Sequence, residues 1–186
     1  MNNEELNTVE KTEETKKKET KSYPFVYGIS FKKALQTYFF GSEDKTLKVK
    51  MSSFPDAICA LAVVACFTEG TTILEDAEVC RRKETDRIKV LKTELSKLGA
   101  DIEETEDSLI IHGHSPLNAD GSENKNFILH GGTVESYDDH RMAMSLSCLG
   151  LALPKNEELL IKDAECCSVS FPKFYEVMNN IGANFI

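Results

Sequence analysis

The stretch Leu74-Glu75-Asp76-Ala77-Glu78-Val79-Cys80 is answered later in the chain by Ile161-Lys162-Asp163-Ala164-Glu165-Cys166-Cys167. Around it, Leu98-Gly99-Ala100-Asp101 is matched by Ile181-Gly182-Ala183-Asn184, and Asp56 by Asp139. Gly99 to Gly182 and Asp56 to Asp139 are both separations of 83 residues. Self-similarity at a fixed period marks a repeated supersecondary unit, and missing it would mis-assign the whole fold.

The hydropathy pattern fills in that unit. Lys45 to Met51 alternates, with Leu47, Val49 and Met51 against Lys48 and Lys50, and reads as a strand. Asp56 opens a helix carrying Ala57, Leu61, Val64 and Ala65, and Thr71 to Leu74 is a strand. Glu84 to Leu98 places Ile88, Leu91, Leu95 and Leu98 on one helical face and stops at Gly99. Asp101 to Glu104 and Ser108 to His112 read as a strand pair. In the second half, Phe127 to Leu129 and Leu159 to Lys162 read as strands, and Asp139 to Leu153 and Pro172 to Ile181 as helices. The fold class is therefore α/β (α+β in some schemes), built from β-α-β-α-β-β units at about 45–112 and 126–186. Residues 1–22 are nearly all Glu, Lys, Thr and Asn and read as a disordered polar tail. Residues 23–44 are aromatic-rich and have no clear assignment.

Composition bounds the function. With 186 residues, 41% of them hydrophobic, the chain can bury one good core. A net charge of −9 argues against a nucleic-acid surface, so an anionic ligand would need a local patch, which Arg81, Arg82, Lys83, Arg87 and Arg141 could supply. The six cysteines form no C-x-x-C pair and read as reduced thiols of a cytoplasmic protein. The first 22 residues show no signal-peptide core, and the longest apolar run, Ala57 to Phe67, is too short for a bilayer.

Two charged boxes open helices. In Lys83-Glu84-Thr85-Asp86-Arg87, Lys83 and Arg87 are four apart, the spacing of one helical face. Lys83 is a compact phosphate donor and Arg87 a planar fork for carboxylate or phosphate. Glu84, between cations, suits proton transfer, although Glu84 and Asp86 equally suit helix N-caps. In Asp139-His140-Arg141, Asp139 suits an N-cap, and Arg141 stands where an apolar helix begins and calls for an anionic partner. Asp56 heads the most apolar helix. Its simplest role is another N-cap; its functional one is to accept a hydrogen bond from a substrate hydroxyl. Stacked repeats could bring these helix starts to one face.

Ser53-Phe54-Pro55-Asp56-Ala57, Lys83-Glu84-Thr85-Asp86-Arg87, Tyr137-Asp138-Asp139-His140-Arg141-Met142-Ala143-Met144 and Ser170-Phe171-Pro172 occur in this order. From about Leu47 to Ile186 the chain closely resembles the C-terminal part of 3-phosphoshikimate 1-carboxyvinyltransferases, the 5-enolpyruvylshikimate-3-phosphate synthases. The resemblance implies a domain of three β-α-β-α-β-β units, of which about two are present. It implies transfer of the enolpyruvyl group of phosphoenolpyruvate to the 5-hydroxyl of shikimate 3-phosphate, on the way to chorismate and the aromatic amino acids, with no metal or organic cofactor. By the same resemblance Asp56 binds shikimate hydroxyls and acts as base, and Glu84 moves the proton at the methylene carbon. Lys83 contacts substrate, Arg87 and Arg141 clamp phosphoenolpyruvate, and His140 lies beside the clamp.

Two departures stand out. Val169 occupies a position where the family usually has a lysine that helps to hold phosphoenolpyruvate. Losing such a charge-assisted contact costs about 1.5–3 kcal/mol. Family members are also more than twice as long, so the opposite wall of the cleft has no counterpart here. The expected function is thus the family's transfer carried by a partial chain, with a second chain supplying the missing domain. The alternative is a non-catalytic remnant or half-enzyme that binds ligand weakly. A UDP-N-acetylglucosamine enolpyruvyl transferase fits less well, because that branch lacks the Lys-Glu-Thr-Asp-Arg box.

Overall fold

A computed structural model describes residues 45–186, so the readings of residues 1–22 and 23–44 lie outside it. The first half runs β1 (Thr46–Lys50), α1 (Ile58–Cys66), β2 (Gly70–Glu75), α2 (Arg87–Lys97), β3 (Asp101–Glu104) and β4 (Leu109–Gly113). These strands form one sheet in the order β1-β2-β4-β3. β1 and β2 are parallel, with Val49 beside Leu74; β2 and β4 are antiparallel, with Leu74 beside Leu109. The second half runs β5 (Gly132–Glu135), α3 (His140–Leu151), β6 (Leu159–Lys162) and α4 (Phe174–Asn180). Its two strands form a separate parallel sheet. The architecture is α/β, as the sequence implies.

One core joins the halves. Leu74, Ile88, Leu91, Leu95, Leu98 and Leu109 from the first are buried in the same cluster as Val134, Met142, Leu146 and Leu149 from the second. α1 is apolar all round; its Ile58, Cys59, Ala62, Val63, Ala65 and Cys66 are buried, whereas Ala60 and Val64 face solvent. Its Cys59 touches Met142 of α3, thiol to thioether 3.7 Å, at positions 83 residues apart. A smaller cluster of Ala143, Cys166, Cys167 and Phe174 seats α4. Asp76 and Asp163, matched in the repeated heptapeptide, both take left-handed backbone at the ends of β2 and β6, with φ of 54° and 55°. A short polar side chain tolerates that conformation.

The structure corrects several sequence-based boundaries. Phe127 to Leu129 is not a strand: Phe127 stacks on Phe67 with ring centroids 5.6 Å apart, and Leu129 is buried as a core plug. A three-residue apolar run cannot distinguish the two by pattern alone. The strand that pairs with β6 begins at Gly132. Glu84 to Asp86 precede α2 rather than forming its first turn, so the shared helical face expected for Lys83 and Arg87 does not exist. Asp56 is no N-cap: it sits in a 3-10 turn, Pro55–Ala57, and Ala57 holds the cap position of α1 without a side-chain bond. No strand follows α4 through Ile186. Five cysteines are buried, but Cys148 on α3 is exposed. Among the described residues no helix is long and apolar enough to cross a membrane.

Candidate active site

The starts of α1, α2 and α3 converge on one side chain, Arg87. Asp86 caps α2 by accepting the Lys89 amide at 3.0 Å, which fixes where Arg87 leaves the backbone. The guanidinium is fully buried. Its Nε donates to Asp139 Oδ2 at 2.7 Å and Nη2 to Asp139 Oδ1 at 3.2 Å, a bidentate pair. Nη1 donates to Asp56 Oδ1 at 3.1 Å and Nη2 to Glu84 Oε2 at 2.6 Å. Burial works against the Arg87 charge, but the Asp139 and Glu84 carboxylates outweigh it and hold its pKa above the ordinary arginine value.

Asp139 is buried and caps α3 by accepting the Arg141 amide at 2.9 Å. Asp56, by contrast, is about half exposed and is approached by three cations. Lys83 Nζ and Arg87 Nη1 lie 3.2 and 3.1 Å from its Oδ1, and Arg141 Nη2 lies 3.2 Å from its Oδ2. Chiefly the Lys83 hydrogen bond, then Arg141 and Arg87, holds the Asp56 carboxyl below the usual range against some desolvation. Glu84 is nearly half exposed and reaches the same guanidinium from the other side. His140 is partly exposed beside Arg141, and its imidazole has no hydrogen-bond or ion-pair partner among the described residues. Asp56, Glu84, Lys83, Arg87 and Arg141 are thus brought together, and His140 adjoins them.

The positive patch expected from five cations is smaller than that. Arg81 is a staple: it donates to both Asp86 oxygens at 3.0 and 2.8 Å, to the Glu106 carbonyl at 2.7 Å and to the Thr105 carbonyl at 2.5 Å. It thereby fastens the Lys83–Arg87 box to the β3–β4 turn. Arg82 pairs with Glu78 at the surface. What remains is Lys83, Arg87 and Arg141 against Asp56, Glu84 and Asp139. Charge is balanced within this group of six. Val169 is exposed in the 3-10 segment Ala164–Val169.

Sequence reasoning missed the Arg87–Asp139 anchor and Glu94. Glu94 was legible as a charge seven residues past Arg87, on the side of α2 that also carries Leu91. The Arg87–Asp139 contact spans 52 residues and has no local signal.

This is an α/β domain that gathers carboxylates and cations where its helices begin. The chain belongs to the EPSP synthase (3-phosphoshikimate 1-carboxyvinyltransferase) family, whose model matches residues 31–178. It is 42% identical over 142 residues to the 3-phosphoshikimate 1-carboxyvinyltransferase of Ruminiclostridium cellulolyticum, covering 76% of this chain and 30% of that relative. To the Methanocaldococcus jannaschii enzyme of the same name it is 37% identical over 140 residues, covering 75% of this chain and 29% of that one. The crystal structure of EPSP synthase from Acinetobacter baumannii superposes with a TM-score of 0.60 at 35% identity, over 73% of this chain and 30% of that one. The chain therefore spans about 30% of the length of these relatives.

Proposed function

We propose that this chain supplies one wall of an active site that transfers the enolpyruvyl group of phosphoenolpyruvate to the 5-hydroxyl of shikimate 3-phosphate, releasing phosphate. The observation that carries the reading is the Asp56 carboxylate, open to solvent and approached by Lys83, Arg87 and Arg141, with Glu84 across the same guanidinium. Asp56 takes the proton of the attacking hydroxyl as its oxygen bonds to C2 of phosphoenolpyruvate. Glu84 gives a proton to C3. In the second step C3 loses a proton and the C2–O bond to phosphate breaks. Both carboxylates have the exposure that such exchange needs, and both lie beside cations that would hold the anionic substrates. Arg141 and Lys83 are the partly exposed arms of the clamp, Arg87 its buried centre, and His140 the neighbour of the clamp.

In this reading the chain divides into units at about 45–112 and 126–186. The opposite wall comes from a second chain or from further polypeptide, and the compartment is the cytoplasm. A second reading, a non-catalytic half-enzyme, is favoured by two observations. Leu160, Val169, Phe171, Val177 and Ile181 are all exposed in the second half, and Val169 replaces the family's lysine.

The test is phosphate release by the purified chain given phosphoenolpyruvate and shikimate 3-phosphate, beside Glu84→Gln. Release by the wild type that the variant loses supports transfer by the chain. No release at high protein concentration sinks autonomous catalysis and leaves the half-enzyme.

A further inference from the structure

Glu94 lies two turns along α2 from Arg87 and is fully buried. Its two oxygens accept Lys97 Nζ at 2.8 and 2.7 Å. Oε2 also accepts the Glu135 amide at 3.1 Å, and Oε1 accepts the Tyr137 hydroxyl at 2.9 Å. The last two donors belong to the second half. Glu135 ends β5, and Tyr137 begins the turn into α3.

That turn is unusual. Tyr137 and Asp138 are consecutive left-handed residues, with φ of 55° and 58°, and neither is glycine. The short polar Asp138 tolerates this conformation, but the bulky Tyr137 holds it only where the surroundings fix it. The next three residues are Asp139, His140 and Arg141. The direction in which Arg141 sets out toward Asp56 therefore depends on how the turn is held.

We propose that Glu94 is a positioning residue for the Asp139-His140-Arg141 box, acting through its hydrogen bond to Tyr137 and through the Glu135 amide. The proposal rests on the site reading above and extends it to a residue that touches no substrate. Only an acceptor-only group with several lone pairs can take an ammonium, an amide and a hydroxyl together, and a carboxylate is that group. The Glu94 hydrogen bond, with some burial, pushes the Tyr137 phenol up to about 12, so it stays a donor at any working pH.

The test compares Tyr137→Phe with Lys97→Met, which removes the ion pair without touching the turn. The readouts are the Asp56 carboxyl titration, followed by NMR, phosphoenolpyruvate affinity and the melting curve. Arg141→Gln calibrates how far Asp56 moves when that cation is lost. Tyr137→Phe is expected to raise the Asp56 midpoint by at least half of that calibrated shift. It is also expected to weaken phosphoenolpyruvate binding by about five- to tenfold, the worth of one hydrogen bond. Lys97→Met should leave both unchanged. If Tyr137→Phe does not fold, Glu94→Gln replaces it and should move Asp56 in the same direction. An unmoved Asp56 in the folded variant, or an equal shift in Lys97→Met, overturns the proposal. If the wild type binds no phosphoenolpyruvate, the site reading fails, while the Asp56 titration still decides the positioning role.

Discussion

The C-terminal helices of the two halves carry the same apolar pattern and meet opposite fates. Leu91, Leu95 and Leu98 of the first half stand 83 residues before Phe174, Met178 and Ile181 of the second. The three leucines are fully buried, whereas Phe174 is nearly so, Met178 partly so, and Ile181 is 64% exposed. The first half has a four-stranded sheet and the second only two strands. Periodicity states which face of a helix wants cover; neighbouring elements decide whether it gets any.

The matched aspartates part company in the same way. Asp139 is sealed inside, capping α3 and gripping Arg87, while Asp56 faces solvent among three cations. Asp139→Ala would strand a buried guanidinium and is expected to cost about 3–5 kcal/mol in urea unfolding. A loss no larger than that of Asp56→Ala would mean that the division between anchor and open carboxylate is wrong.

The paired glycines sharpen the contrast. Both have positive φ, 89° at Gly99 and 108° at Gly182, which a residue with a Cβ resists. At Gly182 a Cβ would meet nothing within 4 Å, so Gly182→Ala should lose about 1–2 kcal/mol from backbone strain alone. At Gly99 a Cβ would come 2.7 Å from the Ile128 carbonyl oxygen, so Gly99→Ala should lose clearly more. Equal melting shifts would show that Gly99 is not pinned against the 128–130 segment.

The smallest effect belongs to Asp56. Solvent screens its ion pairs, so Asp56→Asn should change stability by less than about 1 kcal/mol at neutral pH. Its folded-state pKa lies below the ordinary 3.8. The contribution is therefore complete above that value and fades as pH falls through the lower folded value. Wild type and Asp56→Asn should thus converge in strongly acidic buffer. A difference that persists there would mean that the carboxylate's charge is not what stabilises.

Much of this was legible in the chain. The repeated heptapeptide, the glycine stops and the charged boxes at helix starts are local signals, read from spacing within a few residues. The failures share a cause. Asp56 looked like a cap because an acid before an apolar helix usually is one, yet cations from two other helix starts claimed it. Phe127 to Leu129 looked like a strand because plugging a core leaves no period to read. Arg81 looked like a ligand cation, but its partners include carbonyls of a turn that only folding brings near.

Arg87 has no partner in the repeat. Its counterpart 83 residues on is Ser170, and its guanidinium reaches carboxylates of both halves, Asp56 and Glu84 in the first and Asp139 in the second. Identical surroundings would leave both aspartates doing the same job. Arg87 grips one of them inside, while Lys83 and Arg141 join it at the other, so the two are inequivalent. The result is a division of labour, in which one carboxylate is committed to structure and the matched one keeps unspent coordination toward the solvent.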